Sequence, residues 1–186
     1  MKWNIPGTVL PADGNAENIE QKLSAMFLGG GIVLSQVAAI TGLEPYAIQN
    51  WVKRGFLTKP VGKKYTLRQL CRIININMLK AALPMEEICR LISYVNGQLD
   101  DEADDLIDDS QLYFLFIRLA SKHGKMHDFT ELDVSLAEVM ADYKEPVPGA
   151  RERVKQVLKV MLTAWGAGML RQQACNMAAA LKTLGE

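Results

Sequence analysis

The sequence lacks the patterns typical of membrane-spanning, disulfide-bonded or catalytic proteins. No stretch approaches about 18 consecutive apolar residues, so we expect no membrane-spanning helix. The first residues lack the apolar run of a secretory signal, and the three cysteines, Cys71, Cys89 and Cys175, lie far apart. Both features favour a reducing cytoplasm. Nucleophile elbow, phosphate-binding glycine loop and dinucleotide fingerprint are also absent, so we expect neither an enzyme nor a cofactor.

Metal-binding patterns are weak. His123 and His127 are four residues apart, but Gly124 interrupts a helical turn between them and no third ligand follows beyond Asp128. The acidic run at 100–109 lacks the glycine and the glutamate that a calcium loop places at its sixth and twelfth positions. We therefore expect no metal site.

Charge is distributed unevenly, although the chain has a formal net charge of zero. Residues 34–97 carry nine basic and three acidic side chains, a net +6, whereas residues 98–145 carry four basic and thirteen acidic ones, a net −9. Clustered positive charge is the electrostatic footprint of a nucleic-acid contact. The secondary structure predicted for residues 34–97 indicates which kind of nucleic-acid contact to expect.

Two short helices joined by a tight turn are predicted at the start of the basic segment. Ser35 can cap the first helix, and Gly42 can adopt the positive φ that the turn needs. Pro45 suits the first position of the second helix, and Gly55 suits the position just after its end. This order is typical of helix-turn-helix proteins that read DNA.

The rest of the chain is predicted to be helical apart from one wing. Pro60 and Gly62 predict a small hairpin at 56–65, and Thr66 with Gln69 forms a capping box for the next helix. The predicted fold is therefore mainly α, with a small β wing and a long last helix at 151–184. The predicted domains are an N-terminal arm and helix (1–33), a DNA-binding domain (34–97) and a helical oligomerisation or effector region (98–186).

The second helix of the pair, at 45–54, has an apolar face and a polar face. Gln49 and Asn50 lie on the polar face, where such side chains can bond to adenine in the major groove, and Lys53 can reach a phosphate. Lysines of the wing can straddle the neighbouring DNA backbone. The predicted DNA-binding residues are Ser35, Tyr46, Gln49, Asn50, Lys53, Arg54, Lys59, Lys63, Lys64, Tyr65 and Arg68.

Residues 34–73 are similar to the N-terminal winged helix-turn-helix domain of MerR-type regulators. Thr41-Gly42-Leu43, Gly55-Phe56-Leu57 and Tyr65-Thr66 stand at the places that match the family's pattern. The resemblance implies a transcriptional regulator that dimerises through a long C-terminal helix. The chain also resembles a small bacterial family whose shared domain is described only as one of unknown function, which implies a regulator but names no effector.

The last helix carries two apolar stripes, and a helix that is apolar on two sides is buried between two layers or between two chains. One alternative is a homodimer, as the MerR resemblance implies. The other is burial against the apolar helix at 112–119 of the same chain, and the sequence favours neither. The predicted dimerisation residues are Val154, Val157, Met161, Trp165 and Met169.

Three functions follow from these patterns. The leading hypothesis is a cytoplasmic, homodimeric regulator of transcription that binds specific double-stranded DNA. The second is a protein–protein adaptor, because Gln49-Asn50-Trp51 replaces the Arg-Tyr-Tyr that many MerR regulators carry in this helix. The third is a sensor of an unknown small-molecule effector. Its predicted pocket would lie among Tyr113, Phe116, Tyr143 and Trp165.

Overall fold

A computed structural model describes residues 4–12, 15–101, 103–123 and 131–183, and it confirms a mainly helical chain with one small sheet and a long last helix. Within these ranges no helix is both long and apolar enough to cross a membrane. The elements in chain order are α1 (Ala16–Ala25), β1 (Ile32–Val33), α2 (Leu34–Thr41), α3 (Pro45–Lys53), β2 (Lys64–Tyr65), α4 (Leu67–Leu79), α5 (Met85–Asn96), α6 (Asp109–Lys122), α7 (Leu132–Val139) and α8 (Ala150–Thr183).

Local signals set the ends of several helices. The predicted capping box at the start of α4 is confirmed, since Gln69 N–H donates to Thr66 Oγ1 (3.2 Å) and Thr66 N–H donates to Gln69 Oε1 (2.9 Å). Asp108 caps α6 in the same way, because its Oδ1 accepts hydrogen bonds from the N–H groups of Ser110 and Gln111. Such caps satisfy backbone donors that a helix start leaves unpaired.

The turn between α2 and α3 has the predicted form, with one correction. Gly42 has a φ of 69°, Pro45 is the first residue of α3, and Gly55 has a φ of 76° just after the helix. Ser35, however, is not the cap of α2. The helix begins at Leu34, with Val33 at the cap position. The N–H of Val33 donates to Gln36 Oε1 (3.0 Å), and Ser35 lies exposed in the first turn.

The small sheet joins the segment after α3 to the strand before α2. Strands β1 and β2 are antiparallel, with Ile32 opposite Tyr65 and Val33 opposite Lys64. The residues before β2 form a tight turn in which Lys64 N–H donates to the Val61 carbonyl, and both central residues have positive φ. That geometry matches a type I′ hairpin turn. The structure therefore shows a short hairpin at the place of the predicted wing.

One continuous hydrophobic core includes residues from every helix, and α3 contributes only its inner face. Helix α4 lies at its centre and packs on α6 and α8, and α6 also packs on α1 and α7. These contacts run across the predicted boundaries at 33 and 97. Helix α3 and the hairpin therefore rest on a core that the whole described chain shares.

The N-terminal segment, predicted as an irregular arm, is fastened to this core. Ile5 is 1% exposed, and Tyr113 Oη donates to the Pro6 carbonyl (2.7 Å). Asn77 Nδ2 donates to the carbonyls of both Gly7 and Thr41 (2.9 Å each). The arm is therefore linked through one α4 side chain to the end of α2.

Helix α8 is unbroken, so Gly166 and Gly168 do not end it. Gly168 instead permits a close approach, because a Cβ at this position would lie 3.0 Å from Ala81 Cβ. His127 of the rejected zinc pattern lies outside the described residues.

Candidate nucleic-acid interface

Helix α3 presents a polar face to solvent and an apolar face to the core. Ile48 is fully buried, whereas Tyr46 is 71% exposed and Gln49, Asn50 and Lys53 are all exposed. The four exposed residues follow one another at steps of three, one and three, so they share one side of the helix. The structure thus places the predicted polar stripe where a partner can reach it.

Three lysines of the segment that follows α3, which includes the hairpin, reach solvent. Lys59, Lys63 and Lys64 are exposed, and Val61 at the turn is 85% exposed. The base of the hairpin is fixed by Gln69, whose Nε2 donates to the Thr58 carbonyl, to Thr58 Oγ1 and to the Lys59 carbonyl at 2.9–3.2 Å. A side chain of the capping box therefore also holds the hairpin in place.

The junction between α3 and the hairpin is held by two arginines. The guanidinium carbon of Arg54 lies 4.8 Å from the centroid of the Phe56 ring, and Arg54 remains exposed. Arg72 reaches from α4 and donates from Nε to the Phe56 carbonyl (3.0 Å). This bond ties the end of α3 to the core helix behind it.

Two predicted DNA-contact residues have other roles in the structure. Tyr65 is 3% exposed, because its position opposite Ile32 turns the ring into the core, and burial raises the pKa of its phenol. Tyr65 is therefore a core residue. Arg68 is only partly exposed and is engaged by carboxylates of its own chain. The other predicted contacts on α3 and the hairpin are exposed.

An ion-pair cluster below the hairpin was not predicted from the sequence. Arg68 Nη2 lies 2.7 Å from Asp105 Oδ2, Arg68 Nε lies 3.8 Å from Asp109 Oδ2, and Arg72 Nη1 lies 3.3 Å from the same Asp109 oxygen. Asp109 is buried, which raises the pKa of its carboxyl despite the opposing effect of Arg72. The acidic run at 100–109 thus supplies carboxylates to the basic segment.

The predicted dimerisation stripe is mostly wrong, because the chain covers it itself. Val154, Val157 and Met161 are at most 1% exposed, and Trp165 is 8% exposed. Trp165 packs edge-on against Phe116 of α6, with ring centroids 5.8 Å apart. The intramolecular alternative is therefore the correct one for these four residues, and Met169, which is 40% exposed, is the member that remains available.

The predicted aromatic pocket is also wrong. Tyr113 and Phe116 are fully buried in the core, and Trp165 packs on Phe116. Tyr143 instead lines a surface cavity of about 540 Å³ between α6 and the end of α7, and its hydroxyl donates to the Leu106 carbonyl (2.6 Å). Among the described residues no group of three metal-ligating side chains comes together.

Comparisons with known proteins give this chain a family but no activity. Over 86 residues it is 30% identical to the uncharacterized protein YkrK of Bacillus subtilis (strain 168), a match that covers 44% of this chain and 37% of that protein. The chain thus spans little more than a third of the length of this relative. No solved structure matches the chain. The model of the family described as a domain of unknown function (DUF1836) matches residues 5–116, which include α3, the hairpin and the ion-pair cluster. Since this match covers more than half of the chain, the protein belongs to that family.

Proposed function

We propose that this protein is a regulator of transcription that binds specific double-stranded DNA with α3 in the major groove. The observation that carries the proposal is the polar stripe of α3, which is exposed while the opposite face is anchored through Ile48. A major groove is wide enough for one α-helix, and amide side chains bond well to adenine edges. Gln49 and Asn50 supply such amides in the middle of the exposed stripe.

The hairpin supports the same proposal through its charge and rigidity. Lys59, Lys63 and Lys64 are exposed, and Gln69 holds the hairpin base on α4. Lysines on a fixed hairpin beside α3 can contact phosphates that flank the groove and so set the register of α3. Such winged helix-turn-helix docking is the arrangement that the MerR resemblance implies.

Loss of three lysines tests the phosphate contacts. We expect the triple variant Lys53→Ala, Lys63→Ala and Lys64→Ala to bind duplex DNA more weakly and to reduce the slope of log K against log salt by about 2.7, since each phosphate contact contributes about 0.9. Fluorescence anisotropy between about 50 and 200 mM salt measures this slope.

The matched control removes three exposed lysines elsewhere, with Lys22→Ala, Lys122→Ala and Lys144→Ala. This control is expected to keep the wild-type slope. Equal slopes for both triple variants would contradict the proposed contact surface. Absence of any duplex binding, together with a salt-insensitive complex with a protein, would favour the adaptor alternative.

We also propose that the protein binds DNA as a homodimer through the outer face of α8. Up to Trp165 most apolar side chains of α8 face the core, whereas an exposed stripe on the opposite face runs from Val160 to Leu181. All residues of this outer stripe are exposed and recur alternately three and four positions apart. They are Val160, Thr163, Ala167, Leu170, Ala174, Met177 and Leu181.

The exposed end of α8 is suited to contact with a partner. Every residue from 169 to 181 is exposed, and Arg171 is the one charged side chain among these thirteen. A helical segment of this length with so little burial is marginal in water. A second copy can supply the missing contacts, since a heptad-like stripe is complementary to itself in a coiled coil.

Sedimentation velocity tests the dimer. We expect the double variant Met177→Lys and Leu181→Lys to be monomeric at concentrations where the wild type is dimeric, because two charges would be buried in the interface. The control Gln172→Lys and Ala179→Lys adds the same charge on the other side of α8 and is expected to stay dimeric. A monomeric wild type, or two variants that behave alike, would contradict the proposed interface.

A further inference from the structure

Arg68 lies next to the proposed DNA surface and forms an ion pair with a carboxylate of its own chain. Arg68 and Lys59 of the hairpin line the same cavity of about 270 Å³. The side chain of Arg68 is 22% exposed, and its Nη2 lies 2.7 Å from Asp105 Oδ2. The second carboxylate, Asp109 Oδ2, lies 3.8 Å from Arg68 Nε. A guanidinium that is engaged in this way cannot bind a phosphate with the same N–H groups.

The segment that carries Asp105 is held in place by contacts outside the ion pair. Leu106 N–H donates to the Val95 carbonyl (2.8 Å), and the Leu106 carbonyl accepts a bond from Tyr143 Oη (2.6 Å). Asn96 Nδ2 donates to the Ile107 carbonyl (2.8 Å). The chain therefore presents Asp105 to Arg68 from a segment that is anchored to α5 and to the end of α7.

The two carboxylates differ in how firmly they are bound. Asp109 is 1% exposed and is held by Arg72, which also bonds the Phe56 carbonyl, so Asp109 is part of the support of α3. Asp105 pairs with Arg68 alone, and each of the two carboxylates has an Oδ1 that is buried without a hydrogen-bond partner among the described residues. With one arginine partner instead of two to offset the cost of burial, Asp105 is the weaker member of the cluster.

We propose that Asp105 occupies the place on Arg68 that a DNA phosphate takes, so that this one carboxylate of the acidic segment is an internal competitor that lowers the affinity for duplex DNA. This inference rests on the proposed DNA-binding function and concerns the regulation of the same surface. Carboxylate and phosphate oxygens accept the same charge-assisted bonds from a guanidinium. A phosphate at Arg68 would also be repelled by an ionised Asp105, so binding there requires that Asp105 leave or become protonated.

The environment of Asp105 gives the competition a pH dependence. The pKa of Asp105 is raised to about 6, because burial together with Asp109 of α6 and neighbouring Asp104 outweighs the lowering effect of Arg68 of α4. Above about pH 6 the ionised Asp105 holds Arg68, and below it the protonated carboxyl releases Arg68. We therefore expect the affinity for duplex DNA to rise as the pH falls through about 6.

Removal of the Asp105 charge tests the proposal directly. We expect Asp105→Asn to bind duplex DNA about three- to tenfold more tightly at pH 7.5, with a salt slope steeper by about 0.9, because Arg68 gains a phosphate contact. The control Asp100→Asn removes the same charge from the same segment, and Asp100 is exposed. It is expected to change the affinity less than twofold.

The pH profile supplies a readout that a general change in charge would not move. The wild-type affinity is expected to approach that of Asp105→Asn as the pH falls from about 7.5 to about 5, because both chains then carry an uncharged side chain at this position.

The folded chain holds the proton of Asp105 more tightly than the ordinary pKa of 3.8 allows, so ionisation of Asp105 lowers the free energy of unfolding as the pH rises from 3.8 to about 6. Asp105→Asn is therefore expected to stay folded at pH 7.5.

Retention on a heparin column separates this inference from the proposed function. Asp105→Asn is expected to elute at higher salt than both the wild type and Asp100→Asn, since heparin is a polyanion of no particular sequence. Equal elution and equal duplex affinity of the two variants would overturn the competitor role of Asp105. If no variant binds duplex DNA, the proposed function fails, and the heparin result alone decides whether Asp105 masks Arg68.

Discussion

Replacement of Phe116 by alanine is expected to lower the free energy of unfolding by about 3–5 kcal/mol. Phe116 is fully buried in α6, and its ring packs edge-on against Trp165 of α8 at 5.8 Å. Loss of the ring removes apolar burial, an aromatic contact and the packing of two helices, and leaves a cavity that rigid neighbours cannot fill. Urea unfolding followed by circular dichroism measures the change.

The same experiment tests whether the described chain unfolds as one unit. Because the core is continuous from α1 to α8, we expect tryptophan fluorescence, to which Trp51 of α3 and Trp165 of α8 both contribute, to report the same destabilisation as circular dichroism. The control Tyr46→Ala removes an aromatic ring that is 71% exposed and is expected to change the stability by no more than about 0.5 kcal/mol. Two separate transitions in the Phe116→Ala variant would contradict a shared core.

Replacement of Asn50 by alanine is expected to weaken binding to the preferred DNA site by about 1–3 kcal/mol, which is about 5- to 150-fold. Asn50 is exposed in the middle of the α3 stripe, where its amide can bond bidentately to an adenine. Binding to unrelated duplexes should change little, because phosphate contacts supply most of the non-specific affinity. Competition assays with specific and unrelated duplexes measure both values.

Asn18→Ala is a matched control for this prediction, because Asn18 is an exposed asparagine on α1, outside the basic segment. It is expected to leave both affinities unchanged. A uniform loss of affinity for all duplexes in Asn50→Ala would show that Asn50 contacts the backbone. No change in either affinity would contradict the placement of α3 in the major groove.

Local features of the fold follow from the sequence because their causes are local. The capping box of Thr66 and Gln69 needs only residues three positions apart, and the positive φ of Gly42 needs only the absence of a Cβ. The polar stripe of α3 follows from helical periodicity in the same way. These signals were sufficient to predict most helices and the exposed part of the candidate interface.

Features that depend on distant partners could not be predicted in the same way. The pairing of Tyr65 with Ile32 crosses more than thirty residues and turns an expected DNA contact into a core residue. The ion pair of Arg68 with Asp105 joins the basic and the acidic segment. The sequence shows the charge of each segment but not their arrangement in space. Charge patterns in a sequence show which segments attract each other but not which side chains meet.

Helix α8 shows the same limit on a larger scale. Periodicity shows where the apolar positions of this helix lie but not which partner covers them. The structure buries the stripe that contains Val154 and Met161, against α6 and its neighbours, and leaves the stripe that ends at Leu181 exposed. The sequence left open whether this helix packs within the chain or between two chains. The structure shows packing within the chain for the stripe with Val154 and Met161, and the exposed stripe that ends at Leu181 was not predicted.

Selection of duplex DNA from a random pool is the measurement that tests the central claim most directly. The account predicts an enriched site read through α3, arranged as two inverted half-sites if the protein is a homodimer. It further predicts that a chain with Asn50→Ala enriches a less constrained site, since one base contact is lost. A pool that shows no enriched sequence with the wild-type chain at about 50 mM salt would contradict the account.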